Sequence, residues 1–205
     1  MPLCRTHPDP ALWQTPLSRM SDVIDRNGFR TNVGVVLMHD GQVFFARRTG
    51  GRGWQFPQGG VRAGESLEEA LYRELGEEIG VDAAAVDLLG HTNRWLHYRL
   101  PARYVRRNQR PLCIGQKQRW FLLRLRDGGM AFDFERTSAP EFDQWRWVSY
   151  WEPVKEVIYF KRRVYARALA ELAPLAFPGG AQPPLPAWWE QVTTQVARDA
   201  SASAD

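Results

Sequence analysis

The sequence predicts an α/β (or α+β) sandwich in which a mixed sheet lies between helices. Two observations predict this class. Apolar segments of strand length alternate with turn signals over much of the chain, and two longer segments carry apolar residues at helical spacing. Because strands and helices alternate, we expect a helix on each side of the sheet. The 205 residues suffice for one domain with extensions at its ends.

The first part of the chain predicts three strands and a glycine-rich corner. Thr31 to Met38 is a Val-rich segment typical of a buried strand, and Asp40-Gly41 is a hairpin turn signal before a returning strand at Val43 to Arg47. Trp54 to Phe56 is expected to be short and extended. The corner follows at Gly59-Gly60.

The strongest helix signal covers Ser66 to Gly80. Its apolar residues form one stripe, and Gly80 stands where a C-terminal cap belongs. The stripe consists of Leu67, Ala70, Leu71, Leu75 and Ile79.

Three further strands and a second helix are expected beyond residue 80. The strands are predicted near Val86 to Arg94, Gln118 to Leu125 and Gln144 to Val148. The helix opens at Pro153 and continues to Leu172, with apolar residues at helical spacing. Trp54, Trp145 and Trp147 are assigned to the core.

Both ends have the composition of extensions. Residues 1–21 are Pro-rich and aperiodic, so we expect a disordered arm before a domain that spans residues 22–173. Residues 174–205 begin as a Pro- and Gly-rich linker. A short amphipathic helix that docks back on the domain is then expected from the apolar spacing of Trp188, Trp189, Val192 and Val196.

Composition excludes several classes of protein. Cys4 and Cys113 are too few for a disulfide framework or a four-cysteine zinc site, and no apolar run approaches the roughly 20 residues of a membrane span. The first 19 residues lack the apolar core of a signal peptide. We therefore expect a cytoplasmic protein with no membrane partner, and a monomer.

Positive charge is concentrated in one segment. Ten of the 27 Lys and Arg lie between His91 and Arg126, where there is no Asp or Glu, and several aromatic residues are interleaved. Such a segment fits a polyanion, either nucleic acid or polyphosphate. It fits equally well a solvated face whose charges meet acidic residues elsewhere in the fold.

Three glutamates cluster on the predicted helix. Glu74, Glu77 and Glu78 fall within about 100° of one another at 100° per residue, beside the apolar stripe. Like charges at this spacing repel, and a bound cation would relieve the repulsion. Hard carboxylate oxygens suit Mg²⁺ or Mn²⁺. The alternative is an acidic, solvated face with Arg73 as its ion-pair partner.

The segment from residue 59 to 81 fits the pattern G-x5-E-x7-R-E-U-x-E-E-x-G-U at every fixed position, where U is a bulky apolar residue. This pattern resembles the signature of the Nudix hydrolases, which act on diphosphates linked to another moiety. The resemblance implies an α/β/α sandwich in which the helix follows a loop.

Further motifs resemble the bacterial RNA pyrophosphohydrolases and their dinucleoside-polyphosphate-hydrolase relatives. The resemblance covers about residues 22–172, and Arg30-Thr31 departs from the Arg-Pro expected there. The motifs are Arg30-Thr31-Asn32-Val33-Gly34, Trp54-Gln55-Phe56-Pro57-Gln58-Gly59-Gly60, Gly115-Gln116-Lys117-Gln118, Pro140-Glu141-Phe142-Asp143, Trp145-Arg146-Trp147-Val148, Phe160-Lys161-Arg162 and Val164-Tyr165.

The resemblance implies a metal-dependent hydrolysis without a covalent intermediate or an organic cofactor. Its divalent metal, expected to be Mg²⁺ with Mn²⁺ as the alternative, would be held by Gly59, Glu74, Glu77, Glu78 and Glu141. A metal-activated water would attack a phosphorus of the 5′ polyphosphate, with Glu74 as the base and Glu78 and Glu141 as competitors for that role. Glu65 and Arg73 would orient the loop and the helix.

Substrate contacts are also implied by the resemblance. Arg30 and Lys117 would bind phosphate, and Arg48 would contact either phosphate or a base. Tyr98, Phe160 and Lys161 would meet the first two RNA nucleotides, by stacking on unpaired bases. Packing of either aromatic ring in the core is the alternative, expected more for Phe160 than for Tyr98.

Three functions stay open at this stage. The leading one is removal of pyrophosphate from 5′-triphosphorylated RNA, or of phosphate from 5′-diphosphorylated RNA, to leave a 5′-monophosphate and so initiate mRNA decay. The second is hydrolysis of dinucleoside polyphosphates at the same metal site. The third, from another class, is a non-catalytic nucleotide or RNA sensor, which the intact set of glutamates disfavours.

Overall fold

The computed structural model describes residues 23–126, 132–134, 137 and 140–194. The arm expected over residues 1–21 lies outside this part of the chain, as does Val196 of the expected C-terminal helix.

The described residues form eight strands, three α-helices and a further helical segment at residues 189–194. The strands are β1 Phe29–His39, β2 Gln42–Arg48, β3 Trp54–Gln55, β4 Gln58–Gly60, β5 Val86–His91, β6 Leu96–Arg99, β7 Gly115–Leu125 and β8 Phe142–Ser149. The α-helices are α1 Leu67–Ile79, α2 Glu152–Glu156 and α3 Arg162–Ala176. Single 3₁₀ turns occur at Ala83–Ala85, Ala102–Tyr104 and Tyr159–Lys161.

The strands form one mixed sheet, which confirms the predicted fold class. β1 and β7 pair in parallel from Phe29 opposite Gly115 to Met38 opposite Arg124, and the other strand pairs are antiparallel. The order is β3-β2-β1-β7-β5, with β4 added to β1, β6 to β7 and β8 to β2. β1 therefore borders three strands and stands at the centre of the sheet.

Two apolar cores cover the two faces of this sheet. Successive side chains of a strand point to opposite faces. Accordingly, Val35 belongs to the core beneath α1, whereas its neighbour Val36 belongs to the core beneath α2 and α3. A helix layer thus packs on each side, as the alternation of elements predicted.

Helix α1 confirms its predicted ends. The Ser66 side chain accepts a hydrogen bond from the Glu69 backbone N–H, and the Glu69 carboxylate accepts one from the Ser66 N–H. This capping box satisfies two of the free amides at the helix start. Gly80 caps the other end at φ 73°, a conformation that favours glycine.

The second predicted helix is wrong as a single element. It divides into α2 and α3, because Val157 and Ile158 adopt extended backbone at ψ 152° and 136°. Both residues are β-branched, which disfavours helix and favours extended backbone. Apolar spacing did not reveal the break, since Val154, Val157 and Val164 all pack into the same core.

Two strands and one tryptophan differ from expectation. β4 occupies the expected glycine corner, and β6 forms within the basic segment with alternating buried and exposed residues. Trp145 is 40% exposed rather than in the core, because β8 pairs with β2 alone at the edge of the sheet, and its ring stacks on that of Phe44 at 5.8 Å.

The C-terminal segment contacts the domain through aromatic residues. α3 continues through Pro174 to Ala176, and residues 189–194 are helical. Trp188, Trp189 and Val192 pack against the core beneath α2 and α3. The Trp151 Nε1–H donates a 2.8 Å hydrogen bond to the Pro183 carbonyl. No helix within the described part of the chain has the length and apolarity needed to cross a membrane.

Candidate active site

Helix α1 holds two carboxylates at the edge of its buried face. The helix packs against the sheet through Leu71, Leu75 and Ile79. Glu74 and Glu78 lie beside these residues and are buried on the same side of the helix. Their exposed fractions are only 9% and 6%. Burial disfavours the charged form of a carboxyl group, and it raises the pKa of both residues above the ordinary range.

Gly59 leaves the space that the Glu74 carboxylate occupies. Gly59 lies in β4, and a Cβ at this position would fall 1.8 Å from the Glu74 Cδ. Any residue other than glycine would therefore displace Glu74.

A third carboxylate approaches from a distant part of the chain. Glu141 precedes β8, which pairs with β2, and its carboxyl group lies within hydrogen-bonding reach of Glu78. After burial, the charge of Glu141 and then that of Glu74 raise the pKa of Glu78 further. The Glu78 carboxylate also accepts a 2.8 Å hydrogen bond from the Gln58 N–H, which lowers the pKa less than the other groups raise it.

The chemistry of these three groups fits a divalent cation. Glu74 and Glu78 are buried and Glu141 is partly exposed, and three carboxylates this close repel one another unless a positive charge compensates them. Within the described residues, no three Asp, Glu, His or Cys side chains already converge as a preformed metal-binding group. Glu74 instead accepts a 2.6 Å hydrogen bond from Arg73 Nη1. Carboxylate oxygens are the donors that a hard divalent cation prefers, and Arg73 holds those of Glu74 beside Gly59.

Arg73 joins the loop before α1 to the helix. Its guanidinium donates to both Glu65 carboxylate oxygens, at 2.6 and 2.9 Å, and to the Gly60 carbonyl at 2.8 Å. Glu65 also accepts the Arg62 N–H at 2.8 Å. The hydrogen bonds from Arg73 hold the pKa of Glu65 below its usual value, against the opposing effect of burial.

Glu77 lies on the outer flank of the cluster. Its side chain is 42% exposed, and its carboxylate pairs with Arg62 at 3.3 Å and with Arg73 at 3.2 Å. Of the three glutamates predicted on α1, it is the one that faces mainly toward cationic side chains.

Glutamine side chains link the cluster to the sheet, and sequence reasoning assigned them no role. Gln55 Nε2 donates to Glu141 at 3.3 Å, and Gln58 Nε2 donates to Gln55 at the same distance. Gln118 Nε2 donates to Gln58 at 2.9 Å. Gln55, Gln58 and Gln118 are all buried. Their only signal in the sequence is their place in the motifs that resemble the RNA pyrophosphohydrolases.

Two cations border the carboxylates. Arg48 Nη2 lies 3.0 Å from Glu141 Oε1, and the Lys161 Nζ donates a 3.0 Å hydrogen bond to Gln55 Oε1. Burial, and then the charge of Arg48, lower the pKa of Lys161 to about 7, although Glu141 and Glu78 act in the opposite direction. The Tyr159–Lys161 turn between α2 and α3 thus brings Lys161 to the site.

The two predicted stacking residues lie side by side but differ in exposure. Tyr98 is only 7% exposed, and the Lys161 ammonium lies 5.7 Å from the centre of its ring. Phe160 is partly exposed, and its ring lies 5.7 Å from that of Tyr98 and 5.2 Å from that of Tyr104. Tyr98 is therefore more buried than Phe160, whereas core packing was expected more for Phe160.

The remaining predicted cations lie near the start of the parallel strands. Lys117 on β7 pairs with Asp25 at 3.0 Å, and its ammonium lies 5.5 Å from the centre of the Trp95 ring. Arg30 on β1 pairs in register with Gln116, and its charge acts on the Tyr98 hydroxyl together with that of Arg48. Arg30 and Arg48 therefore both lie close to Tyr98.

Comparison with known proteins gives matches over most of the chain. The family described as NUDIX domain matches residues 28–168. A protein of Alkalilimnicola ehrlichii named RNA pyrophosphohydrolase is 57% identical over 166 residues, which cover 80% of this chain and 92% of that protein. One of Xanthomonas oryzae pv. oryzae with the same name is 59% identical over 155 residues, covering 75% and 76%.

A solved structure shows the same fold. The structure of the E. coli dihydroneopterin triphosphate pyrophosphohydrolase has a TM-score of 0.54 and 19% sequence identity, and the match covers 68% of this chain and 94% of that one. At this identity the likeness concerns the fold alone.

Proposed function

The chain belongs to the NUDIX family, and from this membership we propose that it is an RNA pyrophosphohydrolase. It is a hydrolase of phosphoric anhydrides that removes pyrophosphate from 5′-triphosphorylated RNA, or phosphate from 5′-diphosphorylated RNA, and leaves a 5′-monophosphate end. The observation that carries this proposal is the pair of buried carboxylates Glu74 and Glu78 with the partly exposed Glu141 beside them, in a chain 57% identical to a protein named RNA pyrophosphohydrolase. We further propose that this reaction initiates mRNA decay.

The metal site is proposed on Glu74, Glu78 and Glu141, with Glu77 and the Gly59 carbonyl as further ligands. Nudix hydrolases generally use divalent metals, and we propose Mg²⁺ here, with Mn²⁺ as a substitute. When bound, such an ion neutralises phosphate charge and lowers the pKa of a water molecule. Ionised carboxylates are its ligands. The positive charge of the metal would offset the repulsion between these carboxylates.

The proton of the attacking water is proposed to pass to a carboxylate oxygen of Glu74, with Glu78 and Glu141 as the alternatives. A buried carboxyl group with a raised pKa is a better base near neutral pH than an exposed one. Arg73 would keep the Glu74 side chain beside Gly59, since it donates to both Glu74 and the neighbouring Gly60 carbonyl.

The 5′ polyphosphate is proposed to contact Arg30, Lys117 and Arg48. Arg48 is the nearest of these to the carboxylates, at 3.0 Å from Glu141. Guanidinium groups bind phosphate oxygens in a bidentate manner and stay charged. We assign the first nucleotides to Phe160, Lys161 and Tyr98, with stacking carried mainly by the partly exposed ring of Phe160.

The cellular setting and the extent of the enzyme are also proposals. We propose a cytoplasmic monomer without an organic cofactor, whose chemistry belongs to residues 22–173. The 5′ polyphosphate ends of transcripts are the substrate expected in that compartment.

A side-by-side turnover assay in Mg²⁺ tests the proposed substrate. One reaction contains a 5′-triphosphorylated RNA with several unpaired 5′ nucleotides, and the other contains a dinucleoside pentaphosphate at equal concentration. The proposal expects faster release of pyrophosphate from the RNA. Faster cleavage of the dinucleotide would assign the chain to dinucleoside polyphosphates instead, and no turnover of either would favour a non-catalytic sensor.

A further inference from the structure

A cluster of aromatic and cationic side chains extends the site outward from Phe160. The Phe160 ring lies 5.2 Å from Tyr104 and 5.4 Å from Tyr159. The Arg103 guanidinium lies 5.1 Å from the centre of the Tyr104 ring and 5.8 Å from that of Tyr159. We call Arg103, Tyr104, Tyr159 and Phe160 the tyrosine platform.

The tyrosine platform is exposed to solvent and lies next to the carboxylate site. Tyr104 is 41% exposed, although it carries a large apolar ring, and Arg103 is exposed as well. Lys161 follows Phe160 directly in sequence, and its ammonium contacts Gln55 at the carboxylate site. A strand that starts at the carboxylates and passes Phe160 therefore reaches Tyr104 and Tyr159 next.

The charge around the tyrosine platform suits a nucleic-acid strand. The platform draws Arg103 and Tyr104 from a segment with ten Lys and Arg and no acidic residue between positions 91 and 126. Arg106, Arg107 and Arg110 follow Tyr104 closely in sequence and are all exposed. Exposed aromatic rings next to arginines bind unpaired bases by stacking and the adjoining phosphates by charge.

We propose that the tyrosine platform is an additional nucleotide subsite, which binds the third unpaired nucleotide of the RNA. Tyr104 stacks on the base of that nucleotide. Arg103 contacts the phosphate that precedes the base. Tyr159 holds Arg103 against the Tyr104 ring. Tyr104 is thus a specificity-determining residue for RNA with unpaired 5′ ends. This inference rests on the proposed function, since a dinucleoside polyphosphate has no third nucleotide.

The test uses the full chain and three 5′-triphosphorylated RNAs of one sequence with six unpaired 5′ nucleotides. The first is intact, the second is abasic at nucleotide 3, and the third is abasic at nucleotide 6. For the unmodified protein, the abasic site at nucleotide 3 should lower kcat/KM about tenfold, because one stacked base is lost. The abasic site at nucleotide 6 should have no effect.

Substitutions in the tyrosine platform test whether it causes the lower kcat/KM for the RNA that is abasic at nucleotide 3. Tyr104→Ala should abolish the penalty for the abasic site at nucleotide 3, whereas Tyr104→Phe should retain it, because the ring alone stacks. Arg103→Gln should lower kcat/KM for the intact RNA. The matched control is Arg124→Ala, which removes an exposed arginine of β7 outside the platform and should leave all ratios unchanged.

The outcomes separate this inference from the proposed function. A penalty that is absent in the unmodified protein, or that persists in Tyr104→Ala, would overturn the platform while RNA hydrolysis itself stands. Hydrolysis of a dinucleoside pentaphosphate without turnover of any RNA would overturn the proposed function, and the platform with it.

Discussion

At the scale of the residue, burial and near neighbours decide what each glutamate of α1 can do. Glu78 is enclosed and meets two other carboxylates, which together raise its pKa, and we propose it as a ligand for a cation. Glu68 lies on the same helix but is exposed to solvent. The sequence predicted which glutamates cluster. It did not predict the glutamines behind them, because a glutamine inside a strand has no distinctive spacing.

Gly59→Ala tests the space that Glu74 occupies. The added Cβ would fall 1.8 Å from the Glu74 Cδ, so the carboxylate must move. A displacement of about 1 Å at a reacting group lowers the rate roughly a hundredfold, and we expect that loss in kcat for pyrophosphate release from RNA.

The control for Gly59→Ala is Gly76→Ala in the last turn of α1. A Cβ at Gly76 meets only the Val81 carbonyl, at 3.9 Å. This variant should keep its kcat and gain up to about 1 kcal/mol in free energy of unfolding, since alanine favours helix over glycine. Full activity in Gly59→Ala would contradict the proposed position of Glu74 in the working enzyme.

Glu65→Gln tests the loop-to-helix contact through pH. Arg73 and the Arg62 N–H lower the folded-state pKa of Glu65 below that of the unfolded chain. Its ion pair therefore stabilises the fold above about pH 5, and this contribution disappears as the pH falls through the folded-state pKa. In urea unfolding we expect Glu65→Gln to be less stable by about 2 kcal/mol at pH 7.

Urea unfolding of Glu65→Gln and of the unmodified protein at acid pH tests whether the stabilisation comes from the ionised carboxylate. The difference between Glu65→Gln and the unmodified protein should shrink as the pH falls below 4. Glu68→Gln, an exposed position in the first turn of α1, should change stability by no more than about 0.5 kcal/mol. A deficit in Glu65→Gln that stays constant from pH 7 to pH 3 would refute the ion-pair explanation.

At the scale of the element, local signals fixed some boundaries and left others open. α1 was predictable because an apolar stripe and a terminal glycine agree over one short segment. The break between α2 and α3 was not, because both helices turn apolar residues toward one core and their spacing continues across the gap. β4 was missed because Gly59-Gly60 suggests a turn, and only pairing with β1 makes it a strand.

Tyr165→Phe tests how α3 anchors the segment that leads to Gly59. The buried Phe56 N–H donates a 3.0 Å hydrogen bond to the Tyr165 hydroxyl, across 109 residues of sequence. Removal of the hydroxyl leaves this N–H without its acceptor, which costs about 1–3 kcal/mol in free energy of unfolding by urea. Tyr72→Phe, on a partly exposed part of α1, should change stability little. Equal stability of the two variants would show that the hydrogen bond contributes nothing.

At the scale of the whole molecule, the antiparallel β1–β2 pair joins the two halves of the site. β1 pairs with β4, which carries Gly59, while β2 connects to β8, which follows Glu141. Residues about 80 positions apart in sequence thus meet at one sheet edge. The resemblance of motifs anticipated this meeting, whereas spacing and composition could not, since neither reports which strands pair.

Removal of residues 183–205 tests the role of the C-terminal segment. The segment covers Trp151 through the Pro183 carbonyl and the Trp189 ring, whose centre lies 5.0 Å from that of Trp151. These contacts lie in the core beneath α2 and α3, so we expect a lower Tm but an unchanged kcat on RNA. A truncated protein that stays folded and loses turnover would show that the segment takes part in catalysis.

We propose that Glu74, Glu78 and Glu141 hold the metal that activates water for hydrolysis of the 5′ polyphosphate of RNA. Single-turnover release of pyrophosphate from 5′-triphosphorylated RNA in Mg²⁺ tests it most directly, with RNA affinity measured in parallel, for the unmodified protein, Glu78→Gln and the exposed control Glu68→Gln. We expect the rate of Glu78→Gln to be at least about a hundredfold lower, since a metal ligand supplies several kcal/mol of transition-state stabilisation. Glu78→Gln should still bind RNA, and Glu68→Gln should react at the rate of the unmodified protein. Equal rates in all three proteins would contradict it.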